Sequence, residues 1–338
     1  MSESDKNEIY LSPSPHFASG LTTQKIMCAV IISLLPECIY GVVLFGIRAL
    51  VTILVSVAGA VCFEALFQKL TKHDITVYDC SAVVTGILLA LVLPPTTPVW
   101  QVILGSAFAV IVAKGFFGGL GANVWNPALT GRAFLFVSFP VALGASWLDP
   151  ATDAISSATV LSQIKEGSFI ADSSTYLQYF LGNRAGCIGE TSILLILISF
   201  AFLSLSRIID WRAPLTMVAT VALLTWATGG DVLLAMLSGG LLFGATFMVT
   251  DYATAPVTGP GRLVFGTGCG LITFLIRKFG GYPEGVMFSI LIMNSISAFL
   301  NKLTVTKYGY GRRAKRPVPS KKTVSEFDVK NTKEGAAK

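Results

Sequence analysis

Long apolar stretches, separated by short polar or glycine-rich segments, follow one another along most of this chain. Ten of these stretches are about 16 to 22 residues long, close to what a helix needs to cross a hydrocarbon layer of roughly 30 Å. The pattern therefore predicts an all-α polytopic membrane protein with about ten transmembrane helices. The predicted spans are 25–45, 49–68, 80–97, 99–114, 132–147, 191–206, 214–229, 231–249, 263–279 and 284–301.

Three segments break the apolar pattern and divide the chain. Residues 1–24 are polar and predict a cytoplasmic segment without a cleavable signal peptide. Residues 148–190 are rich in Ser, Thr, Asp and Gly, and predict a long outward-facing loop between a first membrane half, 25–147, and a second, 191–301. Residues 302–338 are rich in Lys, Arg and Pro, and predict a basic cytoplasmic tail that contacts partners or anionic lipid.

A weak internal repeat is found when residues 93–136 are compared with residues 228–265. Each stretch has a short outward turn, an apolar span and a glycine-rich or proline-bearing inward loop that ends in Gly-Arg. Duplicated halves with interrupted backbone at matching positions indicate a ligand site between them. The alternative is that both loops are ordinary re-entrant turns.

Composition and charge favour a membrane protein over a soluble globular enzyme. The chain is 53% hydrophobic and 13% charged, whereas ordinary soluble domains are about one-quarter charged. With both termini in the cytoplasm, 20 of the 25 Lys and Arg residues fall in inward segments, so the net charge of +6 is explained by topology rather than by nucleic-acid binding. Of the 25 basic residues, the outward segments would hold only Arg48, Lys165, Arg184, Arg277 and Lys278.

Ionisable side chains inside predicted spans are candidates for an ion path. Such groups cost a few kcal/mol each on insertion scales, so those that remain usually face a cavity or a partner. Glu37 follows Pro36 in the middle of the first span, where proline leaves a backbone carbonyl unpaired. Glu64 and Asp251 lie near the inner ends of their spans, and the alternative for both is that they extend to the water interface.

Other residue patterns give weaker signals. Asn123 and Asn126 lie in a glycine-rich loop, where amide donors and acceptors suit the edge of a heterocycle, although an Asn in such a turn more often supports its own backbone. In the outward loop, small neighbours leave the hydroxyl of Thr159 open to modification. The six cysteines form no C-x-x-C pair, and the two histidines are far apart, so we expect no metal site.

Several short motifs then resemble a known family. Together and in this order they resemble the NqrB/RnfD family, over about residues 20 to 310. Its members are membrane subunits of the sodium-pumping NADH:quinone oxidoreductase and of the Rnf complex, which couples ferredoxin and NAD to an ion gradient. The motifs are Asp79–Gly86 (DCSAVVTG), Leu93–Pro95 (LPP), Phe117–Gly119 (FGG), Asn126–Ala128 (NPA), Gly131–Phe134 (GRAF) and Tyr282–Gly285 (YPEG).

The resemblance implies two flavins. Thr159 would carry FMN through a phosphoester bond made by a dedicated flavin transferase, within a pattern where Ser157 stands at a position that is usually Gly in the family. The asparagines that match Asn123 and Asn126 lie at a second, non-covalent riboflavin in the quinone-linked relatives. One flavin would then be near the outer surface and the other deeper in the membrane.

The resemblance also implies a function. Lacking a long N-terminal extension, the chain is more similar to the Rnf members, and we expect a bacterial inner-membrane subunit that passes electrons between flavins, coupled to Na⁺ or H⁺ transport. Ferredoxin and NAD(H) would bind other subunits, because this chain has no dinucleotide fingerprint and no cluster cysteines. The alternatives are a quinone-reducing subunit of a sodium-pumping NADH dehydrogenase and a flavin-free small-solute channel.

Overall fold

The computed structural model describes residues 22–144, 147–148, 155–156, 173–281 and 284–305, which are almost entirely helical. The first helices are α1 (Thr23–Phe45), α2 (Ile47–Leu70), α3 (Ser81–Leu91), α4 (Val99–Ala107), α5 (Pro127–Ser138) and α6 (Pro140–Gly144). The later helices are α7 (Ser173–Leu181), α8 (Ile193–Leu205), α9 (Arg212–Ala227), α10 (Val232–Leu237), α11 (Leu241–Phe243), α12 (Gly259–Phe279) and α13 (Val286–Thr304). A short 3-10 turn occupies Val77–Asp79.

The helices have the length and surface of a multi-pass membrane protein. Among the described residues, α1, α2, α12 and α13 are each long and apolar enough to cross a bilayer. The outer surfaces of α1 and α2 are apolar, with Ile39, Val43 and Leu54 each more than half exposed. A surface of this kind is suited to lipid and not to water. The predicted all-helical membrane class is confirmed, whereas the number of spans stays a prediction.

Three predicted spans are interrupted where proline or glycine disrupts the helix. In the span 132–147, α5 and α6 are separated at Phe139, just before Pro140. In the span 80–97, helix α3 ends at Leu91, shortly before Pro94 and Pro95, because proline has no N–H to donate to a preceding turn. The span 231–249 is divided into α10 and α11 by a non-helical break at residues 238–240. The length of the apolar stretches, from which the spans were predicted, does not show these interruptions.

Side-chain caps fix the starts of three helices. The Asn126 side chain accepts a hydrogen bond from the Leu129 amide at the start of α5, and Pro127 takes the first helical position. The Asp231 carboxylate caps α10, and the Thr258 hydroxyl caps α12. A cap oxygen satisfies an amide that has no partner within the helix.

Close helix packing depends on glycine at two contacts. A Cβ on Gly86 of α3 would lie 2.7 Å from the Cα of Val57 on α2, where Ser56 Oγ also donates to the Gly86 carbonyl at 2.7 Å. A Cβ on Gly270 of α12 would lie 2.6 Å from the Met217 carbonyl on α9. Small residues permit such approach between membrane helices, whose association depends on direct packing.

Two helices continue as π-helical segments. Helix α4 runs into the π-helix Phe108–Gly115, and α11 runs into the π-helix Gly244–Met248. Each is followed by a loop and then by a capped helix with proline in its first turn, α5 or α12. Both segments lie within the two stretches of the predicted repeat, and π-helical turns occur often at functional sites.

The predicted outward loop contains regular structure that the sequence pattern did not indicate. Helix α7 lies in it, and two short strands, β1 (Trp147–Leu148) and β2 (Ile155–Ser156), pair antiparallel. Trp147 is opposite Ser156 in this pairing. The pairing fixes where the chain runs just before Thr159.

Candidate functional site

Three of the predicted site residues meet at one cavity. Asn123, Asn126 and Asp251 line a cavity of about 70 Å³, here called the inner cavity because the sequence predicts that its two loops face inward. The side chains of Asn126 and Asp251 join the two loops across 3.5 Å, between Nδ2 and Oδ2. The two loops therefore contact each other, whereas a ligand site between them stays a prediction. The polar lining of the inner cavity also includes Ser81, Lys114, Thr246 and Thr250.

Apart from the contact of Asn126 with Asp251, the two asparagine side chains bond to backbone groups close to them in sequence. Asn126 Oδ1 accepts from the Leu129 amide at 3.3 Å. Asn123 Oδ1 accepts from the Gly121 amide at 3.3 Å, and Asn123 Nδ2 donates to the Trp125 carbonyl at 3.2 Å. These are the backbone-supporting roles that were the alternative interpretation. Because drug-sized ligands occupy pockets of roughly 300 Å³ or more, a cavity of about 70 Å³ does not fit a flavin in this conformation.

Glu64 is buried and paired, and does not extend to the water interface. Lys114 Nζ lies 2.7 and 2.8 Å from the two Glu64 carboxylate oxygens and 2.6 Å from Ser81 Oγ. Ser81 Oγ in turn donates to Asp79 Oδ1 at 2.5 Å. An ammonium has three hydrogens, so each one has an acceptor here. Lys114 was counted as an inward-facing topological charge, but it is the partner of Glu64 beside the inner cavity.

Glu37 is separate from this group. It contacts Ser199 on α8, at 2.8 Å between Oε1 and Oγ, and is only 2% exposed. The structure therefore brings Asn123, Asn126 and Asp251 together at the inner cavity. Lys114 lines the cavity and Glu64 contacts Lys114, but Glu37 is not part of the cavity wall.

A second polar group, not predicted from the sequence, is built on Arg132. Arg132 of α5 donates to Glu190 Oε1 at 3.2 Å and to Glu284 Oε2 at 2.9 Å. Glu190 lies just before α8 and Glu284 just before α13, so Arg132 is held between the starts of two helices. Glu284 Oε1 also accepts from the Gly240 amide at 2.9 Å. The only sequence signal for this pairing is that Arg132 lies in the GRAF motif and Glu284 in the YPEG motif.

Two further arginines bind the break in the span 231–249. Arg184 donates to the carbonyls of Leu237 and Glu190, and Arg277 donates to the carbonyls of Ala235 and Ser238, at 2.7 and 3.2 Å. These donors satisfy carbonyls that have no helical partner. The name outer cluster is used below for these five residues: Arg132, Arg184, Glu190, Arg277 and Glu284.

A cavity of about 290 Å³ lies beside the outer cluster and next to β1. It is here called the outer cavity. Aromatic and sulfur-containing side chains form much of its wall, and Arg132 and Glu284 supply charge. Its lining includes Arg132, Phe136, Leu143, Trp147, Glu284, Met287 and Phe288.

Titration of Glu190 is expected to make stability depend on pH. Burial, and then the nearby Glu284, raise the pKa of Glu190 above its usual value, against the attraction of Arg132 and Arg184. Because the folded pKa of Glu190 exceeds the unfolded value, the folded protein holds more protons between these values. Its stability should be greatest below this window and should fall as pH rises through it.

The measurement is the thermal unfolding midpoint in detergent at about pH 5 and about pH 8. Glu190→Gln should reduce the loss of stability seen in the wild type over this range. Asp74→Asn, at an exposed acid, is the matched control and should leave the loss unchanged. A wild-type midpoint that rises over this range, or a Glu190→Gln slope equal to the wild-type slope, would contradict the assignment.

Some of the predicted positions lie outside the described residues. Thr159 is among them, as are most of 1–24 and of the tail 302–338. Within the described ranges, no group of three His, Cys, Asp or Glu side chains could hold a metal ion.

Comparison with known sequences decides the family. The profile of the NQR2, RnfD, RnfE family matches residues 10–309. The chain belongs to the NQR2, RnfD, RnfE family. The resemblance seen in the motifs is thus confirmed over nearly the whole chain.

Three members of the NQR2, RnfD, RnfE family are similar to this chain over almost their full length. The chain is 44% identical, over 88% of its length and 95% of the relative, to the D component of the Na⁺-translocating ferredoxin:NAD⁺ oxidoreductase complex of Acetobacterium woodii. It is 41% identical, over 91% and 98%, to the D component of the proton-translocating ferredoxin:NAD⁺ oxidoreductase complex of Clostridium ljungdahlii. It is 36% identical, over 91% and 98%, to the D component of the ion-translocating oxidoreductase complex of Stutzerimonas stutzeri.

Proposed function

We propose that this chain is the D component of an ion-translocating ferredoxin:NAD⁺ oxidoreductase complex, and that it carries electrons through bound flavin. The observation that supports the proposal most directly is the 44% and 41% identity to the corresponding components of two such complexes over nearly their full length. Those relatives differ in the ion they are named for, so the coupling ion stays open between Na⁺ and H⁺. Their names favour this assignment over a quinone-linked subunit or a channel.

The electron-carrying group that we propose is FMN, joined to Thr159 through its phosphate by a flavin transferase. FMN, when bound, accepts electrons from one partner and passes them to another. Ferredoxin and NAD(H) bind other subunits in this proposal. The family resemblance supports the attachment site, and in the sequence Thr159 follows two small residues, Ser157 and Ala158.

We propose that the outer cavity receives the flavin ring. Trp147 lines this cavity and pairs with Ser156 in the strand register. Thr159 is three residues beyond Ser156, so the chain cannot carry it more than about 10 Å from that strand. Aromatic side chains suit a planar ring, and the volume of about 290 Å³ is close to the lower bound for small-molecule sites. Arg132 would provide hydrogen-bond donors at the ring edge.

The test is the intact mass and in-gel fluorescence of the chain, produced in a host with the flavin transferase. We expect a mass increment of one FMN less one water in the wild type, lost in Thr159→Ala and kept in Thr152→Ala, a threonine in the same segment. Absence of the adduct from the wild type in a competent host would overturn the flavin proposal. Retention in Thr159→Ala would place the attachment elsewhere.

The second flavin is a separate proposal. Riboflavin at Asn123 and Asn126 would require the loop 116–126 to move and widen the inner cavity, because both amides now hold that loop. The family resemblance supports this site, and the amide groups have suitable donors and acceptors.

Two variants of Asn126 separate flavin binding from helix capping. Asn126→Ala removes the cap of α5 and should destabilise the protein by about 1 kcal/mol. Asn126→Ser keeps a cap oxygen but removes the amide donor, so it should lose non-covalent riboflavin with little loss of stability. The measurements are extracted riboflavin per chain and the unfolding midpoint. Unchanged riboflavin in both variants would remove the second site.

We also propose the finer architecture on which the electron path depends. Ten spans are supported by the overlap of each predicted span with a helix. The distribution of Lys and Arg supports a cytoplasmic position of both termini, at a bacterial inner membrane. An internal duplication is supported by the two π-helical segments, each followed by a loop and a proline-bearing helix. Cysteine accessibility from each side, at positions in the loops, would test the topology.

A further inference from the structure

Glu37 is buried between the packed helices, and its carboxyl group has no ionic partner among the described residues. It lies near the middle of α1, and its side chain is 2% exposed. Its Oε2 atom is buried and has no hydrogen-bond partner among the described residues. The ion pairs found in the described part of the chain do not include it. An ionised carboxylate in this position would lose its hydration without compensation.

If Glu37 were ionised, the groups around it would supply too few hydrogen-bond donors for the acceptors that are present. Ser199 Oγ lies 2.7 Å from the Ser33 carbonyl oxygen and 2.8 Å from Glu37 Oε1. A serine hydroxyl has one hydrogen, so it cannot serve two acceptors fully. If Glu37 is protonated, Oε1–H donates to Ser199 Oγ, and Ser199 donates to the Ser33 carbonyl. Both contacts then have a hydrogen.

The charged groups near α1 do not neutralise Glu37. Helices α3 and α8, which pack against α1, contain no ionisable side chain apart from their hydroxyls. The other ionisable side chains of α1 itself are Lys25, Cys28, Cys38 and Tyr40, and Glu64 on α2 is held by Lys114. The other ionisable side chains on elements that contact α1 are Arg48, Cys62 and Lys69 on α2, Tyr78 and Asp79 in the 3-10 turn, and Cys187 and Glu190 in the segment that meets Gly41.

Glu37 lies between the two polar regions along α1. Met27 and Val30 of α1 line the inner cavity. Glu37 is seven residues beyond Val30, which is about 10 Å along the helix axis. Gly41 follows about 6 Å beyond. A Cβ on Gly41 would be 2.9 Å from the carbonyl of Ile188, two residues before Glu190 of the outer cluster. Helix α8 shows the same order, since Leu203 lines the inner cavity and Ser199 is one turn away.

We propose that Glu37, with Ser199 and the Ser33 carbonyl, is a reversible proton-binding site between the inner cavity and the outer cluster. Binding adds one proton to Oε1 and changes no other covalent bond. Release leaves a carboxylate toward which the Ser199 hydroxyl turns, giving up the Ser33 carbonyl. The site does not depend on whether a flavin is bound, and it would give this protein a direct part in ion movement.

The test is infrared difference spectroscopy of the purified complex that contains the full chain. We expect the carbonyl stretch of a protonated carboxylic acid at neutral pH, sensitive to deuterium exchange and absent in Glu37→Gln. Ser199→Ala should shift this band, because it removes the hydrogen-bond partner. Ser206→Ala, at the exposed end of the same helix, should not. The band should disappear as pH is raised and return when pH is lowered.

Three results would overturn the proposal. The first is no difference in the acid band between wild type and Glu37→Gln, which would mean that the group is ionised. The second is a band that persists at every pH at which the complex stays folded, which would mean a sealed, permanently neutral carboxyl. The third is loss of the band on adding NaCl at constant pH, but not on adding choline chloride, which would mean that the site holds Na⁺.

Discussion

Replacing Arg132 by Met should destabilise the protein by about 3 to 5 kcal/mol, the usual effect of removing one partner from a buried ion pair. Arg132 is 7% exposed and lies between Glu190 and Glu284, at 3.2 and 2.9 Å. Without the guanidinium, two carboxylates remain close together with no cation between them. We expect a large fall in the thermal unfolding midpoint in detergent, and reduced accumulation in the membrane.

Two further variants identify the cause. Arg48→Met removes the same side chain from an exposed position on α2, and should change the midpoint little. Adding Glu190→Gln to Arg132→Met removes one of the unpaired charges and should recover part of the lost stability. An Arg132→Met midpoint equal to that of Arg48→Met would show that the outer cluster does not stabilise the fold.

The second large effect is expected at the Glu64–Lys114 pair. Lys114→Met leaves the Glu64 carboxylate, 4% exposed, without the ammonium that now contacts both of its oxygens. We expect a loss of about 3 to 5 kcal/mol. The double variant Glu64→Gln with Lys114→Met removes both charges and should be more stable than Lys114→Met alone. The unfolding midpoints of the wild type, Glu64→Gln, Lys114→Met and the double variant form a double-mutant cycle.

Lys69→Met is the matched control for this pair, because Lys69 is exposed near the inner end of α2. It should leave the midpoint close to that of the wild type. If the double variant is no more stable than Lys114→Met, the lost stability comes from the lysine packing and its bond to Ser81, and not from an unpaired Glu64.

Sequence patterns predicted the helices well because the membrane makes a simple demand. A helix must satisfy its own backbone and present apolar side chains over a fixed length, and both properties can be read from consecutive residues. Helix α1, predicted at 25–45, occupies Thr23–Phe45, and α2, predicted at 49–68, occupies Ile47–Leu70. The interrupted span 231–249 was harder, since its break is held by Arg184 and Arg277 from distant segments.

The candidate sites were only partly predictable, for a related reason. Repeat comparison indicated that the loops of Asn126 and Asp251 would meet, and their side chains do. Apolar context indicated that Glu37 and Glu64 were unusual. It could not show that Lys114, fifty residues away, neutralises Glu64, or that Arg132 lies between Glu190 and Glu284. Such pairings depend on tertiary contacts that have no local pattern in a single sequence.

The π-helical segment Phe108–Gly115 also affects where the length of this chain can vary. Its hydrogen bonds skip one residue more than those of an α-helix, so deletion of one residue there would let the segment wind as ordinary α-helix. A π-helical turn holds one residue more than an α-helical turn, so the side chains beyond the deletion would keep nearly the same direction. Lys114 lies near the end of this segment and would still point at Glu64. The same deletion within α2 just before Glu64 would instead turn the glutamate by about 100° and disrupt the charge pair without changing either charged residue.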